Sequence, residues 1–392
     1  MKKRTWSIAT VALLLLLTAV AVVHKGSVSG GLGAAIQGAE GPNGELSTIK
    51  IGGAFGQTGI CAEFGEGELK GAMLAVEEIN RTGGVNGRAL ELIPEDTLCE
   101  NKGVASATHK LISIDNVSAI IGPTWGDTFQ GGYPIAQEAN VISIGASSAL
   151  ESLAYTGASN DLVFSTWFPQ NREIDALQRY IVSQGLKTVS IIHDQDPFGA
   201  MMGMLFRDQA AQNGLTIIEE KVVTGVNVDF RTFITSMKTK RPDAIFVSFV
   251  SPDHKAIFFK QAKELGFATR FFAAADTENP ALLSSFAEAL EGVVYTSPRG
   301  AKGYELFAQR YEDRFKEKPR VSSSHAYDAV QVLVEAMKKA GTDGRLLQEA
   351  LLTVQIPGAT YDTVQFSEKH QIMTGEFLLK TVHKGQFIIV NR

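Results

Sequence analysis

The chain has 392 residues, of which 44% are hydrophobic and 20% charged, and its formal net charge is −5. That length exceeds what one hydrophobic core usually organises, so two compact units of about 100 to 200 residues are expected. The composition is that of a globular chain rather than a disordered or fibrous one. The acidic balance gives no long-range attraction for phosphate backbones or anionic lipid, which argues against nucleic acid as a partner.

In chain order, Lys2, Lys3 and Arg4 precede an apolar run over 8–23 with Ala19-Val20-Ala21 near its end. This is the pattern of a secretory signal, and residues 1–26 are read that way. Cleavage after Ala21 would take the net charge from −5 to −8. The run also approaches the minimum of about 17 residues that spans a bilayer, so an uncleaved anchor stays open. Either way the body of the protein is exported, to a periplasmic or other extracytoplasmic location. The Gly/Ser-rich residues 27–47 read as a flexible linker.

From Thr48 onward, short β-rich runs alternate with amphipathic stretches, the pattern of parallel strands joined by crossover helices. The first strand is expected over 49–55. A helix over 64–80 follows, with Leu69, Ala72, Met73, Val76 and Ile79 on one buried face. Strands follow over 90–93, 118–122 and 141–144, completing one doubly wound unit. The rhythm restarts after Asn171 with strands over 188–193, 216–222, 244–249 and 271–274, then 292–297. Three helices are expected over 304–316, 322–340 and 344–352, and antiparallel strands over 361–390. Ligands of such sheets bind beyond the carboxyl ends of the strands, so the functional residues are sought in the strand-end loops.

Two cysteines occur, Cys61 and Cys99, and their spacing fits neither a metal motif nor a C-x-x-C redox pair. They fall in the loops after the first and second strands, which neighbour one another in a doubly wound sheet. Export permits a disulfide between them; two free buried thiols are the alternative. No P-loop, dinucleotide fingerprint, H-E-x-x-H or G-x-S-x-G occurs, and the seven histidines lack ligand spacing. Binding rather than catalysis is the reading, with no cofactor and no metal.

The run GAMLAVEEINRTGGVNGRAL, from Gly71 to Leu90, resembles the first helix and turn of the type I periplasmic solute-binding proteins of the branched-chain amino-acid (Leu/Ile/Val-binding) ABC transporter family. The similarity continues through IIGPTWGDTFQGGYPIAQEANVISIGASSALESL from Ile120 and HDQDPFGAMMGMLFRDQA from His193. It implies an α/β fold of two doubly wound, Rossmann-like lobes joined by three hinge crossovers. On that basis lobe 1 is expected at 48–166 plus 297–354, and lobe 2 at 167–296 plus 355–392. The implied function is capture of an amino acid or related small polar solute by hinge closure, as a monomer, for delivery to ABC permease subunits. A membrane-anchored sensor of the same fold is the alternative, and a hydrolase would require turnover without any cofactor.

The resemblance also implies site residues. Gly126 occupies a position where relatives present a Ser to the ligand carboxylate. Ala146 is expected to offer its carbonyl to an ammonium and Ser148 its hydroxyl and N–H to a carboxylate, with Ser147 between them. Ser148-x-x-Glu151 also reads as a capping box. Phe64 stands where an aromatic residue is common, and Trp125 suits packing against a ligand side chain. Phe198 and Val250 replace tyrosines on the second lobe, so that side is expected to be more apolar. Asp276, with Glu278 as fallback, is expected to meet the ligand ammonium. Asp127 either caps the helix from Thr128 or faces the cleft, and His193-Asp194 reads as a turn or cleft rim.

Overall fold

The computed structural model describes residues 48–155, 161–225, 228–373 and 376–390. The stretches read as signal or anchor (1–26) and linker (27–47) lie outside the described residues. Among those described, no helix is long and apolar enough to cross a membrane.

The first half runs β1 (Ile49–Phe55), α1 (Ala62–Arg81), β2 (Leu90–Asp96), α2 (Asn101–Ser113), β3 (Ala119–Ile121), α3 (Phe129–Glu138), β4 (Ile142–Gly145), α4 (Leu150–Tyr155) and β5 (Val163–Ser165). The strands form a sheet in the order β2-β1-β3-β4-β5, parallel throughout. β3 and β4 are wholly buried and β1 nearly so, as parallel strands covered on both faces must be. The short β5 went unanticipated: three residues are too few to show a period.

The second half continues with α5 (Gln170–Ser183), β6 (Thr188–Asp194), α6 (Pro197–Ala210), β7 (Thr216–Val223), α7 (Arg231–Lys240), β8 (Ala244–Ser248), α8 (Pro252–Glu264), β9 (Arg270–Ala273), α9 (Pro280–Leu290) and β10 (Val294–Pro298). Then come α10 (Tyr304–Phe315), α11 (Val321–Ala340), α12 (Gly344–Leu351), β11 (Phe377–His383) and β12 (Gln386–Ile389). The second sheet has the order β12-β11-β10-β9-β8-β6-β7, parallel from β10 to β7, with β11 and β12 added antiparallel.

Helices α10 to α12 return to the first sheet, where Val330, Leu333 and Met337 of α11 share a core with Ile51, Ala72 and Ile144. Residues 361–372, expected as strands, form only isolated bridges, Ile356–Val364, Phe366–Ile372 and Ser165–Gln371. Their Tyr361, Val364, Phe366 and Ile372 bury in this same first core, although the sequence reading groups them with lobe 2. Asp328 on α11 supplies the physical reason: its buried carboxylate accepts from Ala359 N (2.7 Å) and Thr360 N (2.8 Å), tying the segment down.

The chain passes between the sheets three times: from β5 to α5, from β10 to α10, and between Ile372 and β11. The first passage is held at Thr166, whose carbonyl accepts from His325 Nδ1 (2.7 Å) and Tyr361 Oη (3.1 Å). Burial pushes the His325 imidazole down to about 4, so the ring is neutral there.

Candidate ligand cleft

Strand order reverses between β1 and β3 in one sheet and between β6 and β8 in the other, which opens a crevice at the carboxyl ends of each pair. One hydrogen bond spans each crevice. Gly56 N donates to Thr124 Oγ1 (2.9 Å) in the first lobe, and Val250 N donates to Asp194 Oδ2 (2.8 Å) in the second.

The first-lobe loops are organised by Glu68, fully buried on α1. Its Oε1 accepts from Ser147 Oγ at 2.5 Å and its Oε2 from Thr124 Oγ1, so one carboxyl joins the loops after β1, β3 and β4. Burial pushes Glu68 up to about 7, against the pull of the Ser147 and Thr124 hydrogen bonds. Sequence reasoning missed this residue. The signal was its place on the buried face, in line with Ala72, Ala75 and Val76 at i+4, i+7 and i+8.

Ala146, Ser147 and Ser148 are all buried at the end of β4. The Ser148 hydroxyl gives its proton to Pro123 O (2.5 Å), so it neither caps α4 nor keeps that proton for a ligand carboxylate. At Gly126 a Cβ would stand 2.2 Å from Ala149 O, so a serine does not fit this loop. Phe64 and Trp125 come together edge to face, centroids 5.8 Å apart, and Trp167 of the first crossover lies 6.3 Å from Phe64. Asp127 sits in a single 3-10 turn, Gly126–Thr128, and α3 begins at Phe129 with no side-chain cap.

The second-lobe loops differ from expectation. Phe198 packs half-buried on the core of that lobe, and the Val250 amide donates to Asp194 Oδ2. Around them lie Asp194, Asp196 and Asp276. Asp196 caps α6, accepting from Phe198 N (3.0 Å). Asp276 is already paired: Lys255 Nζ, on a side chain only 3% exposed, lies 2.5 Å from its Oδ2. Charged groups thus stand in the same loops as the expected apolar pair, Phe198 and Val250. Glu278 is likewise occupied, by Lys380 Nζ at 2.7 Å. His193 is buried between Asp194 O and Glu220, away from any rim role. Lys255 was legible as a lysine in register with Phe258 and Phe259 on the buried face of α8.

A second buried glutamate, Glu173 on α5, accepts from Ala275 N (2.6 Å) and Thr296 Oγ1 (2.5 Å), and burial pushes it up to about 7. It fixes the loop carrying Asp276 to β10 at the second crossover. The two lobes meet where Ala149 packs in the second-lobe core beside Met201, with Ser152 Oγ 3.4 Å from Met201 Sδ. The expected bridge also forms: Cys61 and Cys99 are disulfide-bonded, with Cα atoms 5.9 Å apart.

A family model described as periplasmic binding protein matches residues 48–386. The chain belongs to the periplasmic binding protein family. It is a family of solute-binding proteins and not of enzymes, in keeping with the missing catalytic motifs. The chain is 26% identical over 343 residues to the leucine-, isoleucine-, valine-, threonine-, and alanine-binding protein of Pseudomonas aeruginosa, covering 86% of this chain and 90% of that protein. Among solved structures it resembles the branched-chain amino acid transporter substrate binding protein LivJ from Streptococcus pneumoniae in complex with isoleucine, at TM-score 0.74 and 24% identity, covering 88% of this chain and 99% of that one. A solute binding protein of an ABC transporter from R. palustris in complex with benzoate has TM-score 0.73 at 18% identity, covering 88% and 95%. These likenesses show the fold.

Proposed function

We propose that this protein is the extracytoplasmic substrate-binding component of an ABC importer, closing its two lobes on an amino acid or related small polar solute. The observation that carries the reading is the Glu68 network, which holds three strand-end loops of the first lobe, including Ala146 to Ser148, in one polar cradle opposite the charged loops of the second. Phe64 and Trp125 would flank the ligand. Gly126, Ala146 and Ser148 would meet it through backbone groups, and Ser147 would act through Glu68. Phe198, Val250 and Asp276 would close from the other lobe. The lobes would run 48–166 plus 297–354 and 167–296 plus 355–392, with 361–372 packing back onto the first. Ligand binds the open form on one lobe, contacts from the other favour closure, and a permease recognises the closed form. Each chain carries both sides of its own cleft, so a monomer suffices. The basic start and apolar run support export by a signal over 1–26.

A calorimetric screen of the purified protein against amino acids, amides and small carboxylates tests this. One amino acid or analogue binding at one site per chain is expected, and silence across the panel would refute it.

A further inference from the structure

We propose that Asp127 on the first lobe and Asp196 on the second form a cation site across the cleft, making the ligand an amino acid with a positively charged side chain. This rests on the cleft function proposed above and names its substrate class.

The argument starts from charge balance. In the second lobe the carboxylate expected to meet a ligand ammonium, Asp276, is taken by the buried Lys255 at 2.5 Å. Among the described residues no salt bridge is recorded to Asp127, Asp194 or Asp196. Asp127 lies two residues after Trp125, in the turn that packs against α4, and α4 in turn meets α6, the helix Asp196 caps. Burial raises the Asp127 carboxyl above its usual range, and the negative charge of Asp196 on the opposite lobe adds to that.

Asp194 is the independent observation. It is only 7% exposed, Val250 N takes its Oδ2, and its Oδ1 has no hydrogen-bond partner among the described residues. That oxygen lies against the first turn of α6, where a Cβ on Gly199 would be 2.0 Å away, beside the turn that Asp196 caps. Burial raises the Asp194 carboxyl above its usual range, and the charges of Asp196 and Asp276 add to that. A buried acceptor without a donor, beside Asp127 and Asp196 that no salt bridge reaches among the described residues, is an arrangement that a ligand ammonium or guanidinium completes. An amino acid could then leave its α-carboxylate and α-ammonium to the Ala146–Ser148 loop and reach the acids with its side chain.

Titration calorimetry of the full chain with L-lysine, L-arginine, L-leucine and L-isoleucine tests this. Lysine or arginine binding at least about tenfold more tightly than leucine is expected, a difference of about 1.4 kcal/mol. Asp127→Asn and Asp196→Asn should each shrink that ratio toward one, asparagine being a good helix cap at 196. Tighter binding of leucine or isoleucine by the unaltered protein overturns the cation site while leaving the cleft function standing. So does an equal loss for both ligand classes in the two variants. Binding of none of the four overturns the cation site, and silence in the broader screen as well overturns the cleft function.

Discussion

The two crevices share a design and differ in charge. Each lobe carries one fully buried glutamate on a helix that ties strand-end loops together, Glu68 in the first and Glu173 in the second. Each also has a backbone amide bridging its switch point. In the first lobe that amide reaches a threonine hydroxyl, and the surrounding partners are hydroxyls and carbonyls. In the second it reaches an aspartate, with Asp196 and the Lys255–Asp276 pair beside it. Apart from Asp127 in its turn after β3, the first lobe is thus built as a prearranged cradle of hydroxyls and backbone groups, and the second as a charged jaw. Such cradles suit a first encounter, because hydroxyls and amides held by buried partners need no reorganisation on binding. Charged groups set opposite one another select among ligands, since a misplaced charge there costs more than a missing methyl group.

The largest effect expected from breaking this comparison comes from the disulfide, which staples the first-lobe rim and has no counterpart among the described residues of the second. Replacing both cysteines by serine frees a loop with a 38-residue sequence separation and should cost up to about 4 kcal/mol, read from urea unfolding. Next, Glu68→Ala leaves the hydroxyls of Ser147 and Thr124 without their buried acceptor. About 3 kcal/mol of stability and most of the ligand affinity should be lost, while Glu68→Gln keeps an acceptor and should lose less.

Stability should also respond to pH in a sense set by the buried acids. Glu68 and Glu173 are raised from 4.5, and Asp328 from 3.8, each to about 7. Folded protein therefore retains protons that the unfolded chain releases. Their contribution is full below the unfolded values and is lost as pH rises through about 7. His325, lowered from 6.5 to about 4, works in the opposite sense over the lower part of this window, one group against three. Unfolding midpoints measured between pH 5 and pH 7.5 should accordingly fall as pH rises, and the fall should be shallower in Glu68→Gln.

Two smaller substitutions sharpen the reading of the first cradle. Gly126→Ser would force its Cβ against Ala149 O and should destabilise by about 2 kcal/mol without gaining affinity. Ser148→Ala removes a hydroxyl already given to Pro123 O, so thermal melts should drop by the equivalent of about 1 kcal/mol while ligand affinity holds. A large affinity loss in Ser148→Ala would show that the hydroxyl turns to the ligand.

The fold was legible because period-2 and period-3.6 patterns alternate along nearly the whole chain. What escaped were segments too short or too irregular to carry a period, β5 and the 361–372 stretch. The site was half legible. The loops could be located, and Trp125 and Ala146 to Ser148 fall on them, with Phe64 in the first turn of α1. The partners that decide what those loops do come from elsewhere in the sequence. Glu68 lies 79 residues from Ser147, and Lys255 lies 21 from Asp276. A glutamate or lysine on a helix reads as a solvated face until the packing is known, so both ion-bearing contacts went unseen. The apolar expectation for the second lobe came from Phe198 and Val250 alone; Asp194 was read only as a turn or cleft rim, and Asp196, which caps α6, was not weighed.

The most direct test of the account is a crystal structure of the protein with its tightest-binding solute. The account predicts the solute between the lobes, touching the Ala146–Ser148 loop on one side and the Asp194–Asp196 turn on the other. A solute bound outside the cleft, or held by one lobe with the other lobe's loops out of reach, would contradict it.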